Sequence, residues 1–591
     1  RLSTQVTNRT DEVRSEAVHV TAQSEEQVAE GWIGLRQAIE LSLGGAATVR
    51  VEYRPAQQEL PVTVKLLDFR KIEYPGTQMA AGFESDVELT DPRRGVILLR
   101  KISMNNPLRY RGFSFYQSSY APGPPETTIL SVRSDPGTPL VYAGFLIVIL
   151  GVVSMFVLRK PAVSPAVLLL AVGLFPGAAS ADRGGTVHAA EGVSQHAGAA
   201  TGLSAEAIKE ARGIAIQHNG RHKPFDSFAW ETLKLITGSP RIDREDPVAT
   251  IYAIMAEPEE WQVRPLIAVP FRPLRERLGM DPKASRISYN ELIATRKLMR
   301  MLPAIVQKQQ RDEKLTMLEQ ETMDVYERFV VLSALFEQRV VLVPPPTSST
   351  QEWSEVFEAS GYPRDQQEAI RNAWTSWLAS ARGQGAASPE AAARQLAQAL
   401  RSANPAAYPA SWRLRLEVLY NQLAPFRAAR VFYLAACLMM LLSLSGARTR
   451  LGTIGQTLLL AAFVVHGAGI ATRVVLGGRP PVSNFYETML WLPFVAVGLS
   501  LVFERFSPVR YFSLSASMLA AIMLVLADVV PLDSSVAPVV AVLRSNLWLT
   551  IHVLTIVASY GALALATILA HFYAWTYLTG RNNAQQALTT L

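Results

Sequence analysis

Residues 477–491 read GGRPPVSNFYETMLW and residues 544–566 read RSNLWLTIHVLTIVASYGALALA, with two long apolar runs between them. That order sets two polar loops and one histidine, His552, on the same side of a membrane. His552 stands about five residues inside its apolar helix, roughly 8 Å below the surface at a rise of ~1.5 Å per residue. This depth is shallow enough to face an outer cavity. An imidazole there needs a ligand, a cavity or a partner, because a polar group at membrane depth is otherwise costly.

Working outward, apolar spans are expected at 429–445, 454–476, 489–503, 512–531 and 547–578, the last long enough to extend beyond the bilayer. Residues 139–158 form another, closed by Arg159 and Lys160, and residues 163–181 are expected to return across. The second of these ends in small residues and also resembles a signal peptide. Arg448, Arg450, Arg505, Arg510 and Arg581 mark the inner side, which puts both large soluble segments outside. Arg427, Arg430, Arg479 and Arg544 fall on the outer side and are left for another role.

Residues 1–136 alternate short β-branched and aromatic runs with turns. Period two is clear at Ala47–Tyr53 and 62–66, and weaker at 96–100 and 128–132. Its aromatic cluster, Tyr110, Phe113, Phe115, Tyr116 and Tyr120, reads as strand packing or as a ligand surface, the first being favoured. Residues 184–201 are rich in Gly and Ala and read as a linker. Residues 204–425 read as soluble and mainly helical, with amphipathic stretches at 288–309, 313–336, 365–381 and Pro389–Ala403. His218 and His222 flank Asn219-Gly220, a turn signal, so a metal pair on a helix is not expected.

The expected class is a polytopic α-helical membrane protein with a β-rich extracytoplasmic domain and a second, mainly helical one. Its parts are residues 1–136, two spans in 137–181, a helical domain in 182–426 and about five spans in 427–591. Composition agrees: of 591 residues 49% are apolar and only 18% charged, below the ~25% of soluble proteins. The formal charge of +7 is spread along the chain, which gives no case for nucleic acid. The single cysteine, Cys437, excludes an internal disulfide and argues against a thiol oxidoreductase.

The phrase Pro481-Val482-Ser483-Asn484-Phe485-Tyr486-Glu487, followed by Ile551-His552-Val553 and Ser559-Tyr560, resembles the CcsA half of system II cytochrome c synthases. Residues 108–120, LRYRGFSFYQSSY, resemble the end of the soluble region of its partner, ResB. Residues 216–226 resemble a segment that precedes the CcsA half in fused synthases. Together these are similar to the fused ResB/CcsA (CcsBA) type, and the resemblance implies an N-terminal membrane part before this chain and a tryptophan-rich WWD region with a second outer histidine after it. It also implies a bacterial inner membrane location, with the large domains in the periplasm. The implied reaction is haem export and thioether attachment of haem b to Cys-Xaa-Xaa-Cys-His segments of apocytochrome c. Thioredoxin-like reductants and the lipid bilayer would be further partners.

Haem presents an iron that accepts neutral imidazole, a flat apolar ring and two propionates. The resemblance makes His552 an axial ligand of the iron. Trp548, Trp491, Phe485 and Tyr486 are candidates for the walls, and Arg479 and Arg544 for the propionates. Asn484, Tyr486 and Glu487 belong either to the pocket or to a capped turn that opens the next helix. His466, mid-span, is a second ligand or a bridge between helices, with the bridge favoured. His571 reads as interfacial, and for Asp528 solvation is favoured over pairing with an arginine. A haem exporter without synthase activity and an assembly scaffold remain open as alternatives, while a solute transporter would need internal repeats that are not seen.

Overall fold

The computed structural model describes residues 17–158 and 203–578, apart from 25–26, 36, 44–46, 55–58, 122, 124–126, 312, 348–351, 444–448, 507–509, 531 and 540–546. The expected span at 163–181, the linker at 184–201, Arg159, Lys160, Arg448, Arg544 and Arg581 lie outside the described residues. The chain divides into two compact units, one of residues 1–68 and 85–101, the other of residues 69–84 and 102–591.

The first unit is built from hairpins. β1 (Ala17–Ser24) pairs antiparallel with β2 (Gln27–Gly34), and β3 (Gln37–Leu43) with β4 (Ala47–Tyr53). Alternation turns Val20, Ile33 and Leu41 into one small core, with Val18, Ile39 and Val51 packed on it. The chain then runs through a three-stranded sheet of β5 (Thr63–Glu73), β6 (Ala80–Asp91) and β7 (Val96–Ser103), in that order. β6 alternates half-buried and buried residues along its second half, as a strand with one packed face must.

The second unit begins its own β structure with β8 (Leu108–Tyr110), β9 (Phe113–Ala121) and β10 (Thr127–Ser134), ordered β10-β9-β8. Within the aromatic cluster Phe115 is buried, and Tyr120 stacks on Phe69 at 5.2 Å and lies 5.5 Å from Phe83. Phe115 and Tyr120 therefore pack within the β structure. α1 (Thr138–Leu158) follows, 21 residues without a charge.

The helical part comprises α2 (Ala205–Arg212), α3 (Phe225–Thr237), α4 (Pro247–Ala256), α5 (Pro258–Gln262), α6 (Arg272–Leu278), α7 (Tyr289–Thr295), α8 (Lys297–Gln310), α9 (Met317–Phe336), α10 (Arg364–Ala381), α11 (Pro389–Ala403) and α12 (Ser411–Leu423). The run expected to be amphipathic over 288–309 is two helices, because Arg296 between them takes a left-handed φ of 52°. Ser288 and Thr316 open α7 and α9 with capping boxes. α4 is buried at every position, and Tyr252 on it stacks on Trp377 of α10 at 4.2 Å. A hairpin of β11 (Ala215–His218) and β12 (Arg221–Pro224) lies between α2 and α3. Its two-residue turn, Asn219 at φ 48° and Gly220 at φ 75°, is the left-handed type that Asn-Gly favours.

Among the described residues, five helices are long and apolar enough to cross a membrane. They end in α13 (Pro425–Ser443), preceded by α12 in the same span, α14 (Thr449–Gly477), α15 (Phe485–Phe506), α16 (Tyr511–Val529) and α17 (Leu547–Leu578). α13 packs against α14 and α16, and α15 against α16 and α17. Small residues set the spacing: a Cβ at Gly561 of α17 would meet the Leu492 carbonyl oxygen of α15 at 2.7 Å. The molecule is a polytopic α-helical membrane protein with a β-rich N-terminal region and a helical middle.

Candidate functional site at the α14 and α15 helix ends

The phrase Ser483-Asn484-Phe485-Tyr486-Glu487 is the start of α15, and its local chemistry explains why a helix begins there. The Asn484 side-chain oxygen accepts from the Glu487 amide at 2.8 Å, the bond expected of an N-cap. The Ser483 amide and hydroxyl donate to Glu487 Oε2 at 3.0 and 2.6 Å. Glu487 also places its charge in the first turn, where the helix dipole favours it. The capped-turn reading of Asn484 and Glu487 holds.

Glu487 has a second task. Its Oε1 accepts from Arg473 Nη2 at 3.0 Å and its Oε2 from Arg479 Nη1 at 2.8 Å. Arg473 stands one turn before the end of α14 and is buried. Its Nη1 also donates to the Ser534 carbonyl at 2.8 Å and to the Tyr420 hydroxyl at 3.3 Å, and its Nη2 to the Ser535 carbonyl at 3.0 Å. The guanidinium lies 5.2 Å from the Tyr486 ring centre, within reach of a cation–π contact. Two arginines thus share one carboxylate, and the Nε atoms of both are buried with no hydrogen-bond partner among the described residues.

The same polar system extends into the helical part. Arg221 of β12 holds Glu417 of α12 through two bonds of 2.9 and 2.6 Å, and Ser227 donates to Glu417 at 2.5 Å. Asn421 donates to Asp226 and Ser227, each at 2.9 Å, and Arg212 bridges Asp226 and Asp246. Tyr74 donates to the Val539 carbonyl at 2.7 Å. The segment after α16 is therefore held at Ser534 and Ser535 by Arg473 and at Val539 by Tyr74.

His218 and His222 sit on adjacent strands of the hairpin. His222 stacks on Trp353 at 4.6 Å and contacts Gln217 at 3.3 Å. Burial, and after it Arg413, pushes its pKa down to about 4. His218 is pushed down to about 3 by burial, then by Lys223 and Arg221. Both imidazoles are neutral at ordinary pH. Burial likewise lowers Lys223 and raises Asp226.

Of the other sequence candidates, His552 lies exposed on α17. Trp491 of α15 donates from Nε1 to the Leu554 carbonyl on that same helix at 3.3 Å, so the structure brings Trp491 to the His552 segment. Phe485 is exposed, and Tyr486 is half-buried. Arg544 and the Trp548 side chain lie outside the described residues. His466 is fully buried and meets the Tyr433 hydroxyl at 3.2 Å, which makes it a bridge between α14 and α13. His571 is exposed, its Nδ1 2.7 Å from the Thr567 carbonyl. The favoured solvation of Asp528 is corrected: Arg430 binds it at 2.7 Å and Arg427 lies 3.8 Å away. Arg473 is what the sequence reading missed, and its signal was an arginine inside an apolar run, which needs a partner.

Residues 28–129 match the ResB-like family. Over 560 residues, 89% of this chain and 59% of the relative, the chain is 27% identical to Protein NrfI of Wolinella succinogenes. Its C-terminal part is 32% identical over 121 residues to the cytochrome c biogenesis protein CcsA of a Synechococcus strain, covering 20% of this chain and 33% of that protein. It is also 29% identical over 116 residues to Protein HemX of Brevibacillus brevis, covering 42% of that protein. The chain spans about three-fifths of the length of NrfI and less of the others. A ResB-like domain and a CcsA-like region stand on one chain, in the order the two motifs led us to expect.

Proposed function

We propose that this chain belongs to the machinery of cytochrome c biogenesis, where it carries haem to the outer face of the bacterial inner membrane and presents it to apocytochrome c. The observation that carries this reading is the joining, on one chain, of a ResB-like domain to a CcsA-like membrane region. The polar ends of α14 and α15 and the exposed His552 support haem handling by that region.

In this reading haem is the substrate. His552 ligates the iron through a neutral imidazole, and Trp491, anchored to α17, walls the ring. Arg479, which gives only Nη1 to Glu487, pairs with the propionates, while Asn484, Tyr486 and Glu487 hold the loop that carries Arg479. Each thioether forms by addition of a cysteine S–H across a vinyl group: sulfur bonds to one vinyl carbon and the proton goes to the other. No electrons are lost and nothing leaves. The chain's contribution is orientation, which removes several kcal/mol of a barrier when reacting groups are held in place. Both soluble regions face the periplasm, and thiol reductants of the thioredoxin kind keep the substrate cysteines reduced.

The test is the visible spectrum of the full-length protein purified from membranes, with and without His552→Ala, followed by added imidazole. A Soret band that falls or shifts in the variant and returns with imidazole is expected. Haem retained with an unchanged spectrum would move the ligand elsewhere. A protein without haem under all expression conditions would favour an assembly scaffold.

A further inference from the structure

The outer ends of α13 to α16 and the helical part enclose a cavity of about 360 Å³, within the size range of small-molecule sites. Its floor is apolar, formed by Phe426, Leu490, Leu524 and Ala527 from three membrane helices. Its upper wall is cationic: Arg221, Lys234, Arg427, Arg430 and Arg473. We propose that this cavity is a binding site for an amphiphilic anion, a carboxylate or phosphate group on an apolar body.

Charge and placement both favour this. Three carboxylates line the cavity, Glu231, Glu417 and Asp528, and each is already held, by Lys223, Arg221 and Arg430 respectively. Adding the partners behind the wall, Lys223, Arg479 and Glu487, leaves seven cations facing four carboxylates. Lys234 has no carboxylate partner among the described residues, and its Nζ rests 5.0 Å from the Trp230 ring centre. The Arg427 side chain is 64% exposed and 3.8 Å from Asp528, so it is free to swing toward a ligand. A small soluble anion would leave the apolar floor bare and a neutral apolar molecule would leave the cations unmet. An amphiphile at the membrane edge satisfies both, and guanidinium groups bind carboxylate and phosphate alike through paired bonds.

The required headgroup can come from an anionic phospholipid or from a ring carrying carboxylates. The experiment uses the full-length protein in nanodiscs or detergent and three probes: phosphatidylglycerol, metal-free protoporphyrin and, as the neutral control, phosphatidylcholine. Binding is compared between the wild type and the Lys234→Gln/Arg427→Gln double variant, which leaves the buried ion pairs in place. Saturable binding of one anionic probe, weakened at least tenfold in the double variant and restored by Lys234→Arg/Arg427→Lys, is expected, and the probe that binds names the source. Equal binding of the neutral lipid, equal binding by the double variant, or binding of neither anion would overturn the proposal. Because the porphyrin probe carries no iron, the outcome is independent of whether His552 ligates haem.

Discussion

Arg473 and Glu487 form an ion pair of 3.0 Å in which each side chain is 4% exposed. A pair so dry is maintained because most of its remaining groups are answered, here by Arg479, Ser483, Ser534 and Ser535. Glu487→Gln keeps the volume and removes the charge that two arginines share. Breaking one partner of a buried pair costs about 3–5 kcal/mol, so the melting midpoint of the detergent-solubilised protein should fall clearly. Arg473→Gln should cost more than Arg479→Gln, because Arg473 also holds the segment after α16. Equal and small shifts in all three would show that water reaches the pair.

Asn484 lies in the family-like motif, yet its side chain is occupied with the Glu487 amide. Replacing an N-cap asparagine with alanine costs about 1 kcal/mol, whereas serine or aspartate caps nearly as well. Asn484→Ala should therefore lower stability modestly and Asn484→Asp should not. If Asn484 instead contacts haem directly, aspartate would fail as badly as alanine in the Soret spectrum, and the two sets of data separate the roles.

What was legible in the sequence was local. The period of two in Ala47–Tyr53, the Asn219-Gly220 turn and the uncharged runs of α13 to α17 each report on backbone that forms from near neighbours. The cap at Asn484 was one of two readings the sequence left open. Arg473 was not legible, because its partners Ser534 and Ser535 are 61 and 62 residues away. Nor was the pairing of Asp528 with Arg430, 98 residues apart, since either residue alone reads as an interfacial charge. The division of 288–309 at Arg296 was hidden too: an unbroken apolar period does not reveal one residue with positive φ.

The hairpin histidines set a pH dependence on the helical part. His222, pushed down to about 4 by burial, binds fewer protons folded than unfolded below its ordinary value near 6.5. The unfolded chain takes up the extra proton, so stability is complete above about pH 6.5 and falls as pH drops toward 4. One pH unit inside that window is worth up to about 1.4 kcal/mol for a single group. Thermal unfolding at pH 7.5 and 5.5 should show a lower midpoint at the acid end. His222→Asn should flatten the difference, though it forfeits the stacking on Trp353. An unaltered pH profile in that variant would assign the acid loss to other groups.

His466 decides between a second haem ligand and a structural bridge, and a cycle of substitutions separates them. The ring is enclosed by Phe426, Tyr433 and Phe494, with Nδ1 at the Tyr433 hydroxyl and Nε2 lacking a hydrogen bond among the described residues. His466→Phe preserves most ring contacts but strands the Tyr433 hydroxyl, a penalty of about 1–3 kcal/mol for a buried group left unsatisfied. Adding Tyr433→Phe removes that hydroxyl, so the double variant should regain much of the lost stability. The Soret band should be unchanged in all three proteins, because a bridge carries no iron. A ligand role predicts the opposite pairing: the spectrum would change with His466→Phe and Tyr433→Phe would not repair it, whatever happened to the melting midpoint.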